Sequence, residues 1–218
     1  MGHNDGMRLI FAVLSLLNAV AIRPAQAAPA PAIPAADPLV AISARLRAHA
    51  ALAGEFTQTS RSGLSGIAHV ESGRCVITRD GDARFDFMKP AGKLALAHGG
   101  FFILYEPRDK QLTRQRLGAD TAPSLLYAAP EKLRARFALT LVAVADGGQT
   151  ITLRPKDADG AWSEITITLG QDGLPLALSF HDGTGGQVDL TFNLKPAAPP
   201  APAFYEFTPP EGTEFVGE

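Results

Sequence analysis

Five histidines, one cysteine and scattered carboxylates are the residues of this chain that could carry catalytic or metal chemistry. The histidines are His3, His49, His69, His98 and His181, and no two of them stand four residues apart, the spacing of a helical zinc site. No serine lies in a G-x-S-x-G turn, and the sequence contains neither a phosphate-binding P-loop nor a G-x-G-x-x-G fingerprint after a strand. The sequence therefore marks no catalytic centre, no metal site and no cofactor site.

Two single features could take part in chemistry but have simpler explanations. His181 and Asp182 stand at a predicted hairpin, where a turn is expected and no nucleophile accompanies them. Cys75 is the only cysteine, so it cannot form an internal disulfide. Its neighbours Val76 and Ile77 indicate an apolar strand, and we expect this thiol to be a small core residue.

Arg79 is the residue with the most distinct alternatives. It follows the apolar strand over 73–78 and shares the parity of Ile77, so it could face the interior. There its five N–H donors would need several acceptors. Otherwise it points into solvent or pairs with Asp80 or Asp82, and the pattern alone leaves both alternatives open.

The first 27 residues have the pattern of a secretory signal peptide. Arg8 precedes an apolar run over 9–22, and Ala25-Gln26-Ala27 is typical of a cleavage site. The run is too short to span a bilayer comfortably, which disfavours a membrane anchor. We expect cleavage after Ala27 and export from the cytoplasm. Since no cysteine follows the apolar run, we expect no acyl anchor on the chain itself.

The residues after the signal peptide predict one domain. Residues 28–36 are rich in Ala and Pro and predict a disordered lead-in, and residues 37–218 are enough for one substantial core. Asp37-Pro38 predicts the start of a helix with an apolar stripe, and Gly54 predicts its end. A net charge of −2 gives no electrostatic reason to expect nucleic acid or an anionic membrane as a partner.

Short strands separated by Gly, Asp and Pro turns fill most of the chain after Glu55. Between Arg84 and Lys89, Phe85 and Phe87 alternate with polar residues, which indicates a strand with one buried face. Strands at this interval predict an antiparallel barrel or sandwich. Two short helical pieces, over 123–129 and 131–137, interrupt the strands, and residues 204–207 predict a last strand.

An ordered set of short motifs resembles the LolA family of periplasmic lipoprotein carriers. A glycine-led strand beginning at Gly73 ends in an arginine and is followed by an aromatic strand, a proline, a turn, a Tyr-x-Pro and a glutamine. The motifs are Phe56-Thr57-Gln58, Gly73, Arg79, Phe85, Pro90, His98-Gly99, Tyr105-Glu106-Pro107, Gln111, Ala122-Pro123-Ser124-Leu125-Leu126, Leu153-Arg154-Pro155-Lys156, Asp172-Gly173 and Phe207-Thr208-Pro209-Pro210-Glu211-Gly212. The order and approximate spacing hold from about Leu39 to Val216.

The resemblance implies a mainly β fold with some α structure. It implies a single curled antiparallel sheet, an incomplete β-barrel of about 11 strands, covered by short helices. Apolar residues that could form the wall of an acyl-chain cavity, each of which could equally be an ordinary core residue, are Leu46, Val76, Ile77, Phe85, Phe87, Leu94, Leu96, Ile103, Ile165, Ile167 and Phe180.

The resemblance also implies a lid over this cavity. In the family, an arginine at the position of Arg79 hydrogen-bonds carbonyl groups of the short helix that closes the cavity. Arg79 is therefore the expected lid lock, and the expected lid consists of Ser124, Leu125, Leu126, Tyr127 and Ala128. Lipid binding would break these bonds, which would keep affinity modest and suit a carrier that must release its cargo.

The function implied by the resemblance is transport and not catalysis, with no cofactor. The chain would take acylated lipoproteins from an inner-membrane ABC lipoprotein-releasing complex and pass them, as a monomer, to an outer-membrane acceptor lipoprotein. Two alternatives remain open. The chain could carry another lipid or hydrophobic ligand as a specialised LolA-like paralogue, or it could be a regulatory binding module that senses envelope stress.

Overall fold

The computed structural model describes residues 37–117, 125–144, 146–157 and 162–217. The predicted signal peptide over 1–27, the predicted lead-in over 28–36 and Ser124 of the predicted lid lie outside the described residues. Within the described ranges, no helix is long and apolar enough to cross a membrane.

Helix α1 (Pro38–Arg47) starts where the sequence predicts. The Asp37 carboxylate accepts a hydrogen bond from the backbone N–H of Leu39 at 3.0 Å, and Pro38 occupies the first helical position. The helix ends at Arg47, well before the predicted end at Gly54. The reason is tertiary, because the chain from Ala51 onwards pairs with a strand on either side.

Two further short helices follow in the described chain. Helix α2 (Pro130–Arg136) begins with a proline and agrees with the second predicted helical piece to within one residue. A 3-10 helix spans Pro202–Tyr205. Leu125 and Leu126 are also helical, within the first predicted piece.

Twelve strands form one unclosed sheet in the described part of the chain. The sheet order is β12-β6-β5-β4-β3-β2-β1-β11-β10-β9-β8-β7, so β12 and β7 are its edges. The strands are β1 (Ala51–Arg61), β2 (Ala68–Thr78), β3 (Ala83–Lys89), β4 (Ala91–His98), β5 (Phe101–Glu106), β6 (Gln111–Arg116), β7 (Phe137–Ala143), β8 (Gln149–Pro155), β9 (Glu164–Leu169), β10 (Pro175–His181), β11 (Gln187–Ala197) and β12 (Glu214–Gly217). The predicted mainly β fold with an open sheet and short helices is confirmed.

The end of the chain differs from the prediction. Residues 204–207 do not form a strand, because the chain turns through the 3-10 helix and crosses one face of the sheet. There the Arg84 guanidinium donates to the Phe204 carbonyl at 2.6 Å. The last strand is β12, which pairs with β6 in parallel, whereas the other described pairings are antiparallel.

The two faces of the sheet are covered differently. We call the face that packs against α1, residues 125–127 and α2 the inner face. Its core draws on strands from both halves of the sheet, including Leu52, Ile77 and Leu153, which are fully buried. We call the opposite face the outer face. Over β4, β5 and β6 it has a second, smaller apolar cluster against which Phe207 packs.

Candidate functional site

Most of the predicted wall residues meet on the inner face. Leu46, Ile77, Phe87 and Phe180 are buried in one cluster, and Phe85 packs against it. Ile165 and Ile167 belong to the same cluster. Phe56 of the Phe-Thr-Gln motif is also there, with its ring edge-on to the rings of Phe85 and Phe87 at centroid distances of 5.1 and 5.0 Å.

Four predicted wall residues lie on the outer face instead, and the expectation of one wall is wrong for them. Val76 pairs across strands with Arg84, Arg84 with Leu96, and Leu96 with Ile103, and residues paired in this way project to the same side of the sheet. Val76, Leu96 and Ile103 therefore lie on one face. Leu94 follows the same parity as Leu96. The inner face of β4 therefore takes the smaller Ala95 and Ala97.

The larger residues of β4 can face outward because the end of the chain covers that side. The ring of Phe207 lies 5.3 Å from that of Tyr105, next to Leu94 and Ile103. The ring of Tyr205 stacks on His98 at 5.0 Å. The alternation of β4 is the same whether its leucines lie on the inner face or on the outer face under the end of the chain. The sequence of this strand alone therefore does not decide between the two faces.

The described residues of the predicted lid, 125–128, pack onto the inner face, and we keep the name lid for them. Leu125, Leu126 and Tyr127 are only 2–4% exposed and belong to the same core as Leu46. The Arg47 guanidinium donates to the Tyr127 carbonyl at 2.7 Å, and the Ser43 hydroxyl lies 3.4 Å from the Ala128 carbonyl. The lid side chains thus occupy part of the apolar space that the sequence assigns to acyl chains.

Arg79 contacts the helix beneath the lid. Strand β2 ends at Thr78, and Arg79 is an exposed residue whose backbone N–H donates to the Ala50 carbonyl at 3.0 Å. Its guanidinium donates to the Arg47 carbonyl at 3.2 Å. Among the described residues, the arginine that donates to a lid carbonyl is therefore Arg47. Arg79 donates to the carbonyl of Arg47 and so supports the turn that carries Arg47.

Arg47 was missed by the sequence analysis. It is exposed on the last turn of α1, where a basic residue is common and signals no special role. Only the packing of α1 against residues 125–129 places its guanidinium at the lid. We call Arg79, Arg47 and the Tyr127 carbonyl the arginine relay.

Tyr127 makes one good contact and one poor one. Its carbonyl belongs to the arginine relay, whereas its hydroxyl is enclosed without a hydrogen-bond partner among the described residues. Burial raises the pKa of this phenol to about 12, and the positive charge of Arg79 partly opposes the rise. An enclosed hydroxyl without a partner costs about 1–3 kcal/mol, which offsets part of the stabilisation from burying the Tyr127 ring.

A pocket opens beside the lid, between the end of α1, the turn after β2 and helix α2. We call it the lid pocket. Its volume is about 540 Å³, within the range of ligand sites. Its apolar walls include Leu125, Leu133 and Phe137, and its polar rim is Arg47, Arg79, Asp80, Lys132 and Arg136.

A charged cluster lies beyond Phe87, at the other end of β2 from Arg79. The Lys93 ammonium lies 2.8 Å from both Glu71 and Glu106 and 4.8 Å from the Phe87 ring centroid. Burial alone would lower the pKa of Lys93, but its hydrogen bonds to Glu106 and Glu71 and their charges outweigh burial and raise it. Gln58 donates to Glu71 at 3.0 Å.

The other residues considered for chemistry have structural roles. Asp182 caps the β10–β11 turn, accepting from the backbone N–H groups of Thr184 at 2.8 Å and Gly186 at 2.7 Å. These hydrogen bonds lower the pKa of its carboxyl group. Cys75 is buried, and burial raises the pKa of its thiol to about 12. The described residues contain no cluster of potential metal ligands.

Comparison with known proteins agrees with this geometry. The family described as "Outer membrane lipoprotein carrier protein LolA" matches residues 47–208. The chain belongs to the LolA family. An outer-membrane lipoprotein carrier protein of Bordetella pertussis is 28% identical over 214 residues, covering 96% of this chain and 99% of the relative. One from Dechloromonas aromatica is 28% identical over 170 residues, covering 77% and 81%.

A solved structure shows the same fold. An uncharacterized conserved protein from Thermus thermophilus is 16% identical, with a TM-score of 0.51 covering 83% of this chain and 99% of the other. In this LolA-family chain, motifs far apart in sequence meet in space. Phe56 packs on Phe85 in the cluster of the inner face, and Phe207 packs on Tyr105 in the cluster of the outer face. The motifs therefore contribute to two apolar clusters on opposite faces of one sheet.

Proposed function

We propose that this protein is a periplasmic carrier that binds the acyl chains of lipoproteins on the inner face of its sheet. The observation that carries the proposal is a large apolar core on one face of an open sheet, packed against the residues of the predicted lid, in a chain of the LolA family. Binding requires no covalent chemistry, and the described residues offer an apolar surface and not a constellation of nucleophile and base.

Acyl chains enter this core only if the lid moves. Leu125, Leu126 and Tyr127 would leave the inner face, and the Arg47–Tyr127 hydrogen bond would break. The exposed surface would include Phe85, Phe87 and Leu46, to which several acyl chains could bind by burial of apolar area.

The arginine relay then sets the affinity. A hydrogen bond from a charged donor contributes about 1.5–3 kcal/mol, which the acyl chain must replace before net binding appears. The unpartnered Tyr127 hydroxyl favours opening of the lid, because it regains hydrogen-bond partners when the lid opens. Opposing contributions of similar size keep loading and unloading close in free energy, as transfer between two membranes needs.

The partners follow from the same proposal. The cargo is received at the inner membrane from an ABC lipoprotein-releasing complex and given to an acceptor lipoprotein at the outer membrane. The predicted signal peptide over 1–27 supports export to the periplasm.

Release of lipoprotein from spheroplasts tests the proposal. Purified protein lacking residues 1–27 is incubated with spheroplasts that synthesise a labelled outer-membrane lipoprotein, and the label in the soluble fraction is counted. We expect the wild-type protein to release the label. Absence of release, with an acyl probe still bound, would favour a carrier of another lipid. Absence of both would leave the regulatory module.

Variants of the relay test the role of the lid in the same assay. We expect the lid of Arg47→Ala to open more easily, because about 1.5–3 kcal/mol of closure is lost. The variant should therefore retain cargo about tenfold longer or more when an outer-membrane acceptor is added. Arg79→Leu is expected to act in the same direction. The matched control is Arg45→Ala, an exposed arginine in the same turn of α1. Equal transfer by Arg47→Ala and Arg45→Ala would show that the relay does not hold the lid.

A further inference from the structure

The rim of the lid pocket carries an excess of positive charge. Arg47, Arg79 and Lys132 contribute three cationic groups, and Asp80 contributes the one carboxylate of the described rim. The whole chain has a net charge of −2. The positive charge is thus a local feature of this pocket and not a consequence of a basic protein.

The described contacts of Arg47 and Arg79 leave their positive charge in place. The guanidinium groups of Arg47 and Arg79 donate to backbone carbonyl oxygens, which satisfy hydrogen bonds without neutralising charge. Lys132 is exposed on α2. The neighbouring Asp37 is paired with Arg134, and Asp82 is paired with His98, so neither is directed at the rim.

The pocket behind the rim is apolar. Leu125, Leu133 and Phe137 are 2–5% exposed, and they form the wall next to the lid. An apolar recess behind a ring of cations suits a ligand with a hydrocarbon chain and an acidic end. The hydrocarbon chain would pass this wall towards the inner face as the lid loosens, while the acidic group would stay at the rim in partial contact with solvent.

We propose that the lid pocket recognises the polar end of an anionic amphiphile, an acyl chain that carries a carboxylate or a phosphate. This inference adds a ligand class to the proposed carrier function, because the ester- and amide-linked acyl chains of a lipoprotein carry no free acidic group. The acidic group lies against Arg79 and Lys132, at the lid's own edge. The same contact that selects the ligand therefore draws Arg79 away from the Arg47 carbonyl and loosens the arginine relay.

The test is displacement of the neutral fluorophore N-phenylnaphthylamine by amphiphiles matched in chain length. Myristate and myristyl phosphate are compared with myristyl alcohol, and acetate and inorganic phosphate serve as the acidic groups alone. At low salt we expect the affinity of both acidic amphiphiles to exceed that of the alcohol by about fivefold or more. We expect the difference to shrink at high salt. Acetate and phosphate should not compete at matching concentrations.

Single-charge variants give the sharper result. Lys132→Gln should weaken myristate several-fold, and Asp80→Asn should strengthen it, while both leave the alcohol unchanged. The matched control is Lys195→Gln, which removes an exposed lysine of β11. Equal affinity for acid and alcohol, or equal effects of Lys132→Gln and Lys195→Gln, would overturn the inference, as would competition by acetate or phosphate alone.

The spheroplast assay separates this inference from the proposed function. If wild-type protein releases lipoprotein but shows no preference for acidic amphiphiles, the rim proposal fails and the carrier function stands. If no amphiphile displaces the fluorophore and no lipoprotein is released, both proposals fail together.

Discussion

Tyr127 contributes to lid closure in two opposite ways. Its carbonyl accepts a charged hydrogen bond from Arg47, and its ring is buried in the core, both of which favour the closed lid. Its hydroxyl is enclosed without a partner in the described structure, which favours opening. A lid residue with this balance is suited to a protein whose closed and open states must both be accessible.

Tyr127→Phe is expected to stabilise the closed protein. Removing a buried hydroxyl without a partner should raise the free energy of unfolding by about 1–2 kcal/mol, since the desolvation cost of that group disappears. Thermal unfolding should shift upward by about 2–4 °C for each kcal/mol. Acyl-probe affinity should fall by a similar free energy, because the probe must open a more stable lid.

Tyr205→Phe is the matched control for that experiment. Tyr205 also has an enclosed hydroxyl without a partner among the described residues, but it lies on the outer face, stacked on His98. Tyr205→Phe should raise the unfolding temperature and leave acyl-probe affinity unchanged. Equal loss of probe affinity in both variants would show that the Tyr127 hydroxyl does not act through the lid.

At the scale of elements, β1 is the strand that joins the two halves of the sheet. It pairs along its whole length with β2 on one side and β11 on the other. Gly54 lies opposite Cys75 and Leu194, and a Cβ at this position would overlap the backbone carbonyl of Asn193. Glycine is needed here because the backbone of the neighbouring strand approaches closely.

Gly54→Ala is expected to push β1 and β11 apart locally. The cost should be about 1–3 kcal/mol, the usual range for overpacking, because backbone and not a flexible side chain occupies the space. The measurement is chemical denaturation. Gly183→Ala is the control, since a Cβ there meets nothing within 4 Å and its backbone has no positive φ. Equal midpoints for the two variants would contradict the close approach.

At the scale of the whole molecule, Cys75 links the stability of the core to pH. Burial raises the pKa of this thiol from 9.0 to about 12. Between these values the unfolded chain releases the thiol proton while the folded chain keeps it. The unfolded state therefore binds fewer protons, and stability is present below pH 9 and is lost as pH rises towards 12.

Cys75→Ala is expected to make the alkaline loss of stability shallower. One thiol contributes a slope of about 1.4 kcal/mol per pH unit over this window, and the variant lacks that slope. The free energy of unfolding is measured by denaturant titration at several alkaline pH values. The slopes are compared and not the absolute values, because the substitution also removes packing atoms. Identical slopes would mean that the thiol titrates alike in both states.

How well a feature could be predicted depended on whether its sequence signal comes from neighbouring residues. The helix start at Asp37 and the alternation of Phe85 and Phe87 depend on neighbouring residues, and both appear in the structure as predicted. The outward side of β4 could not be predicted, because Leu94 and Leu96 lie on a face that is covered by a segment about a hundred residues later in the chain.

The sequence by itself determined the class of fold, most of the strands and the family, since these depend on periodicity, turn residues and ordered motifs. Only the tertiary structure decided which face each strand turns inward, that the last strand pairs in parallel with β6, and that the Arg47 guanidinium reaches the Tyr127 carbonyl. The physical reason is that each of these depends on two segments far apart in the chain. A contact between such segments is fixed by packing of the whole sheet and leaves no pattern in either segment alone.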